Sequence, residues 1–198
     1  LRAALREHVS ASLRRAGIAD AERKAGAIVD LETRIARLHW TQAQKNDDIK
    51  MHHPMSPAEL ARFAPGFDWA KFLGARGYAS APKIDVRTDT AIKPMAALFA
   101  ETPMPVLKDY MTFHLLNGWA DSLTSEWQQA HFDFHSRKVR GITQRQTLEN
   151  EAVQTVNKAV GEQVGALFVQ KWFPASHRQQ VKDMVDLVKA SFRERIGR

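Results

Sequence analysis

Apolar residues along this chain recur mostly every three or four positions, the period of a helix with one buried face. Leu1, Leu5, Val9 and Leu13 step four at a time, and Gly17 follows as a helix terminator. A second helix opens at the N-cap residue Asp20 and turns Ala21, Ala25, Ile28, Leu31, Ile35 and Leu38 to one side, ending near Trp40. Together they predict a helical hairpin. In SPAEL, Ser56, Pro57 and Glu59 supply a capping hydroxyl, a first-turn proline and a reciprocal carboxylate. Pro65 and Gly66 end that short helix, Asp68 caps the next turn, and FDWAKFL is expected to bury Phe67, Trp69, Phe72 and Leu73. From Gly74 to Thr88 the chain reads as a surface strap, with Ile84 and Val86 alternating against charges as its one strand.

A helix from Asp89 to Glu101 follows, with Pro94 tolerable only near its first turn. Thr102 and Pro103 then start what reads as the longest helix, continuing toward residues 131–135. Its Phe113, Leu115, Leu116, Trp119, Ala120 and Leu123 are apolar on several sides, so it is expected at the centre with others around it. Thr143 to Gln146 has the pattern of a capping box, opening a helix that directs Val153, Val156, Val160, Val164 and Leu167 inward until Phe173 and Pro174. Ser176 to Gln179 repeats the signal before the stripe Val181, Val185, Val188 and Phe192. The expected fold is all-α: one helical domain over residues 1–198, with a long central helix, a short extended strap and no internal repeat.

Composition narrows the function classes. With 198 residues, 44% of them apolar and 26% charged, the chain is a folded domain with its own core rather than a disordered tail. A net charge of +7 invites a nucleic-acid reading, but Lys and Arg are scattered. The densest cluster, Arg137, Lys138 and Arg140, lies beside a predicted helix end, where cations suit the dipole. Without cysteine there is no disulfide framework and no thiolate site, which fits either the cytoplasm or the periplasm. No apolar run reaches the ~20 residues of a membrane span. The start at Leu1, without Met or a basic-then-apolar leader, suggests an excised segment.

The strongest candidate for chemistry is HFDFH, residues 131–135, because two histidines four apart are how a helix presents a zinc pair. On an α-helix His131, His135 and Lys138 share a face, with Trp127 and Gln128 one turn earlier. That face lacks a carboxylate, and Phe132 stands where the hydrolytic motif has Glu. The residues therefore predict partly exposed histidines at a helix end and no metal site. His52 and His53 are adjacent, precede Pro54 and read as solvated loop residues; Asp47 with Asp48, and Glu149 with Glu151, read as solvated acids. No catalytic residue is assigned, and no nucleophile elbow, phosphate loop or dinucleotide fingerprint occurs.

Residues 156–196 nevertheless resemble a run in the neprilysin-like zinc metallopeptidases, the family of neprilysin and endothelin-converting enzyme. There a Val-Asn pair precedes a Gly-x-Leu-Tyr-Val segment and an aromatic-Phe ending; here these are Val156, Asn157, Gly165, Leu167, Phe168, Val169 and Phe173. Upstream, Leu31, Glu32, Ala36 and His39 resemble the family's helix ending in Ala-x-x-His, and MSPAEL and FDWAKFL resemble its Met-Ser-x-x-Glu-Leu and Phe-x-Trp stretches. Val139 and Gly141 fall at its Leu-x-Gly turn, while Leu148 and Glu149 stand where the family typically has Arg-Trp. The pieces keep the family's order over essentially the whole chain.

The resemblance implies a segment of the non-catalytic helical lid that closes over the active-site chamber of a zinc endopeptidase and limits entry to small peptides. Zinc, its ligands and the catalytic Glu would then belong to the catalytic domain of the same polypeptide, this segment's expected partner, and no substrate-binding residue is carried over. The implied compartment is periplasmic or extracellular. The alternative expectation is a free-standing helical module that binds a protein or an anion and has no peptidase attached.

Overall fold

The computed structural model describes residues 1–197. In chain order its helices are α1 (Arg2–Arg15), α2 (Ala21–Leu38), α3 (Gln42–Lys45), α4 (Pro57–Phe63), α5 (Trp69–Ala75), α6 (Asp89–Glu101), α7 (Met104–Gly118), α8 (Ser125–His131), α9 (Leu148–Trp172) and α10 (Ala175–Ile196). A 3-10 turn (Ala120–Ser122) follows α7, and a π-helix (Phe132–Val139) continues α8. The fold is all-α apart from two short antiparallel strands, β1 (Pro54–Met55) and β2 (Ile84–Asp85), in register Pro54 to Asp85 and Met55 to Ile84. The expected strand at Ile84 thus exists. Its partner strand sits in the loop after His53. The described residues fall into two compact units, 1–143 and 144–197.

In the first unit, α1 and α2 form the predicted hairpin. Gly17 takes the left-handed conformation, φ 72°, and two backbone bonds close the helix end: Gly17 N to Arg14 O at 2.9 Å and Ile18 N to Leu13 O at 3.0 Å. This is the pattern that satisfies the last orphan carbonyls of a helix, with Ile18 folding back on the core as its hydrophobic partner. Val9, Leu13, Ala25 and Ile28 are completely buried and, with Ala21, Val29 and Phe113 of α7, make the main core. Ser10 and Ser12 are buried as well, small enough for the helices to approach closely. Asp20 does not cap α2 with its side chain. It is left-handed, φ 57°, and its carboxylate pairs instead with Arg23 at 3.0 Å.

A second cluster gathers Leu60, Ala64, Val86 and Ala96 beneath Phe63, Phe67 and Trp69. The Ser56–Glu59 capping box opens α4 as expected, and the Trp69 indole N–H donates to the Ala64 carbonyl at 2.7 Å. Gly66 is required twice over: its φ is 101°, and a Cβ there would lie 3.1 Å from the Ala96 carbonyl oxygen. Of the aromatic group, Phe72 departs from expectation and is 40% exposed, its ring edge-on to Phe67 and Trp69. α6 spans the predicted residues, although Pro94 lies beyond the first turn, inside the helix.

The long central helix is not formed. The chain breaks after Gly118, turns through Ala120–Ser122, extends at Leu123 and restarts after Thr124. The Gln128 side-chain amide donates to the carbonyls of Asp121 and Leu123, at 3.2 and 3.0 Å, and so satisfies backbone acceptors that the break released. Of α7 only Phe113 is buried; Leu115 and Trp119 are each 62% exposed. Thr124-Ser-Glu, directly after the apolar run ends at Leu123, is itself a helix-start signal.

In the second unit, α9 starts at Thr147, whose hydroxyl accepts from Asn150 N, four residues after the capping box expected at Thr143. α10 starts behind Pro174, with no side-chain cap from Ser176. Neither helix buries a residue, so the stripes expected to face inward, Val153 to Leu167 and Val181 to Phe192, are exposed. α9 is also interrupted at Val160, φ −135° and ψ 34°, just before Gly161.

Burial separates α1 from α10 energetically. Leu13→Ala should cost about 2 to 5 kcal/mol in urea unfolding of this chain, through lost transfer energy and the cavity left behind. Leu187→Ala, at a position 70% exposed, should stay within about 0.5 kcal/mol.

Candidate functional site

The histidines singled out by the sequence belong to a larger cluster. His8 comes from α1, Asn117 from the last turn of α7, and His131 and His135 from either side of the α8–π-helix junction. The Nε2–H groups of His8 and His135 both donate to Asn117 Oδ1, at 2.9 and 3.1 Å. His8 stacks on Phe134 with ring centroids 4.5 Å apart and interplanar angle 8°, and meets Phe113 edge-on at 6.0 Å. His135 lies 4.4 Å from the His131 ring, and His131 Nδ1 is 3.3 Å from Asp121 Oδ1. This joins α1, α7 and the π-helix through one amide oxygen.

Burial sets the electrostatics. His8 is held below the usual histidine range mainly by desolvation, which outweighs the raising effect of its bond to Asn117. His135 is pushed down to about 4, again mainly by desolvation and then by the neighbouring His131 and His8. Both rings are therefore neutral near pH 7, with Nε2 protonated and Nδ1 bare.

The cluster does not suit a metal. The converging Nε2 atoms carry hydrogens committed to Asn117, and among the described residues no group of three or more His, Asp or Glu has the geometry to hold an ion. The face expected to pair His131 and His135 with Lys138 also changes, because π winding bonds residues five apart and leaves Lys138 exposed. His8 and Asn117 were absent from the sequence reading; they lie 109 positions apart and share no local pattern.

The other candidates are tied up locally. His52 Nδ1 lies 3.4 Å from Asp85, and His53 donates its backbone N–H to the same carboxylate at 2.8 Å and accepts from Val86 N at 3.0 Å. His52 is exposed, as expected of a solvated loop residue, while the His53 backbone braces the β1–β2 ladder. Asp47 pairs with Lys50 at 3.0 Å, and Glu151 takes Arg145 in a two-pronged bridge at 2.7 and 2.8 Å. A groove of about 470 Å³ opens between the starts of α2 and α7, with Asp20, Arg23, Lys24, Val106 and Asp109 in its lining. Its Lys24–Asp109 and Arg23–Asp20 bridges, both 3.0 Å, pair these charges with one another.

Two measurements check this account. Calorimetric titration with zinc should show only the weak binding of surface imidazoles, and one-to-one binding lost in His135→Ala would contradict it. Asn117→Ala should cost about 1 to 3 kcal/mol in urea unfolding, because it strands two imidazole donors, one of them buried.

Comparison with known proteins places this helical arrangement. The model of Peptidase family M13, in its N-terminal-domain form, matches residues 1–198. Endothelin-converting enzyme-like 1 of Mus musculus is 22% identical over 98% of this chain and 26% of its own length. Endothelin-converting enzyme 1 of Rattus norvegicus is 24% identical over 86% of this chain and 23% of its own. The chain thus spans about a quarter of the length of these relatives. Among solved structures, the zinc metalloprotease Zmp1 of Mycobacterium tuberculosis in its open state has a TM-score of 0.85 at 26% identity, over 93% of this chain and 29% of its own. With a family match over its whole length, this chain belongs to peptidase family M13 and matches the model of its N-terminal domain.

Proposed function

We propose that residues 1–198 form one non-catalytic lid domain of a zinc-dependent metalloendopeptidase, enclosing the active-site chamber and limiting substrates to small peptides. The observation that carries this reading is the uncovered apolar surface. α9 and α10 each present a stripe of Val, Leu and Phe along their length without burying a residue, and α7 exposes Met104, Met111 and Leu115, followed by Trp119 just past its end. A helix amphipathic over six or seven turns is stable in water only when its apolar face is packed, because propensity alone is marginal. The catalytic domain of the same polypeptide is the natural cover.

Hydrolysis would then be performed outside this segment, which supplies shape rather than reacting groups. No residue of it is assigned to catalysis, substrate binding or metal binding. A helical cover selects by size: flexible peptides enter, folded proteins do not, and bulk water is displaced as the chamber closes. Among the described residues no helix is long and apolar enough to cross a membrane. The family resemblance supports a periplasmic or extracellular setting.

Cleavage of a peptide length series by the full-length protein, with and without chelator, is the direct test. Short peptides should be cut in a chelator-sensitive way, folded proteins left intact, and residues 1–198 alone should cut nothing. A chelator-resistant activity in residues 1–198, or none in the full-length protein, would defeat the proposal. Packing is tested separately by Leu167→Ala, at a position 67% exposed here. It should leave the unfolding of residues 1–198 unchanged, yet destabilise the full-length protein by about 2 to 5 kcal/mol if the face is covered.

A further inference from the structure

We propose that the His8–Asn117–His135 cluster is an acid-sensitive joint: with both rings neutral it holds residues 125–140 against α1 and α7, and their protonation releases that segment. Geometry carries the idea. Two imidazole N–H groups from distant parts of the chain converge on a single amide oxygen, and the Phe134 ring, part of the segment to be released, lies flat on His8. Beyond the cluster the segment is tied by Arg15 to Glu126, by the Gln128 amide to the carbonyls of Asp121 and Leu123, and by His131 beside Asp121, yet of its residues only Ser136 is buried.

The charges facing the cluster oppose a second proton. α1 brings Arg15, whose guanidinium lies 5.1 Å from the Trp127 ring centre and bonds Glu126 of α8 at 2.7 Å. The π-helix brings Arg140, bonded to the His135 carbonyl at 3.1 Å and to the Ser136 hydroxyl at 2.6 Å. Its Asp133 is paired with Arg137, and on α7 His114 turns away to Glu32 at 2.6 Å. The 3-10 turn offers Asp121, and it stands beside His131. A cation on His8 would therefore face Arg15 and His131, and one on His135 would face His131 and Arg140, with Asp121 as the one carboxylate that favours it and the smallest influence on that ring.

The direction with pH follows by linkage. Both rings have folded-state values below the usual 6.5, so the folded joint binds fewer protons than the open one. Its stability is complete above that usual value and drains away as pH falls toward about 4, where His135 protonates in place. The proposal stands apart from the lid reading, since it concerns only contacts within residues 1–143.

The experiment is hydrogen exchange on the full-length protein from about pH 7.5 to about pH 4.5, normalised for intrinsic exchange. Peptides covering residues 125–140 should lose protection by about tenfold or more over this range, while α2 keeps its own. The double variant His8→Phe, His135→Gln, which keeps a stacked ring and a donor, should flatten that response. Should the variant fail to fold, imidazole NMR of the unmodified protein decides: His8 and His135 should titrate well below the usual range, at the pH where the segment opens. Protection that stays constant, or falls together with that of α2, would overturn the joint. So would an unchanged pH response in a folded double variant, or rings that titrate near pH 6.5.

Discussion

The close crossing of α1 on α2 is the contact on which the first unit is built. It needs small residues where the helices meet, and Ser10, Ser12, Ala21, Ala25 and Gly26 provide them. The buried serine would be costly without a partner, and Ser10 has one: its hydroxyl donates to Glu22 at 2.7 Å, tying one helix to the other beside the turn that joins them. Once this hairpin is set, Phe113 can enter its groove and place α7, and the end of α7 delivers Asn117 to His8. The cluster at the far end of the unit depends on a fit made by serine and alanine.

Much of this was legible in the sequence because it rests on local rules. Gly17 as terminator, the Ser56–Glu59 box and the bounds of α6 follow from backbone preferences within one or two turns. What was not legible depends on groups brought together from afar. The run from Phe113 to Leu123 looks like one helix by composition, yet it is cut between Gly118 and the start signal at Thr124. The histidine cluster was half visible: the spacing of His131 and His135 drew notice, but their environment comes from α1 and α7.

The stripes on α9 and α10 show how periodicity can be right about a face and silent about its partner. Val153, Val156, Val160 and Val164 do lie along one side of a helix; within the described residues that side remains open. Hydrophobic period reports that a face is meant to be covered, not by which chain segment. The break at Val160 bends that face, so whatever covers it must be curved or divided to match.

The π-helix at Phe132–Val139 makes the number of residues in this segment matter as much as their identity. Such a winding is what an α-helix becomes when it must house an additional residue without lengthening. Deleting one residue between Phe134 and Lys138 would let ordinary α winding return, keeping the chain beyond it in register but removing the widened turn that sets His135 and Ser136 in place. Ser136, buried within that turn, would leave its position, and Arg140 would lose the hydroxyl it grips. Every side chain needed for the cluster could be present in a relative one residue shorter here, and the cluster would still be lost.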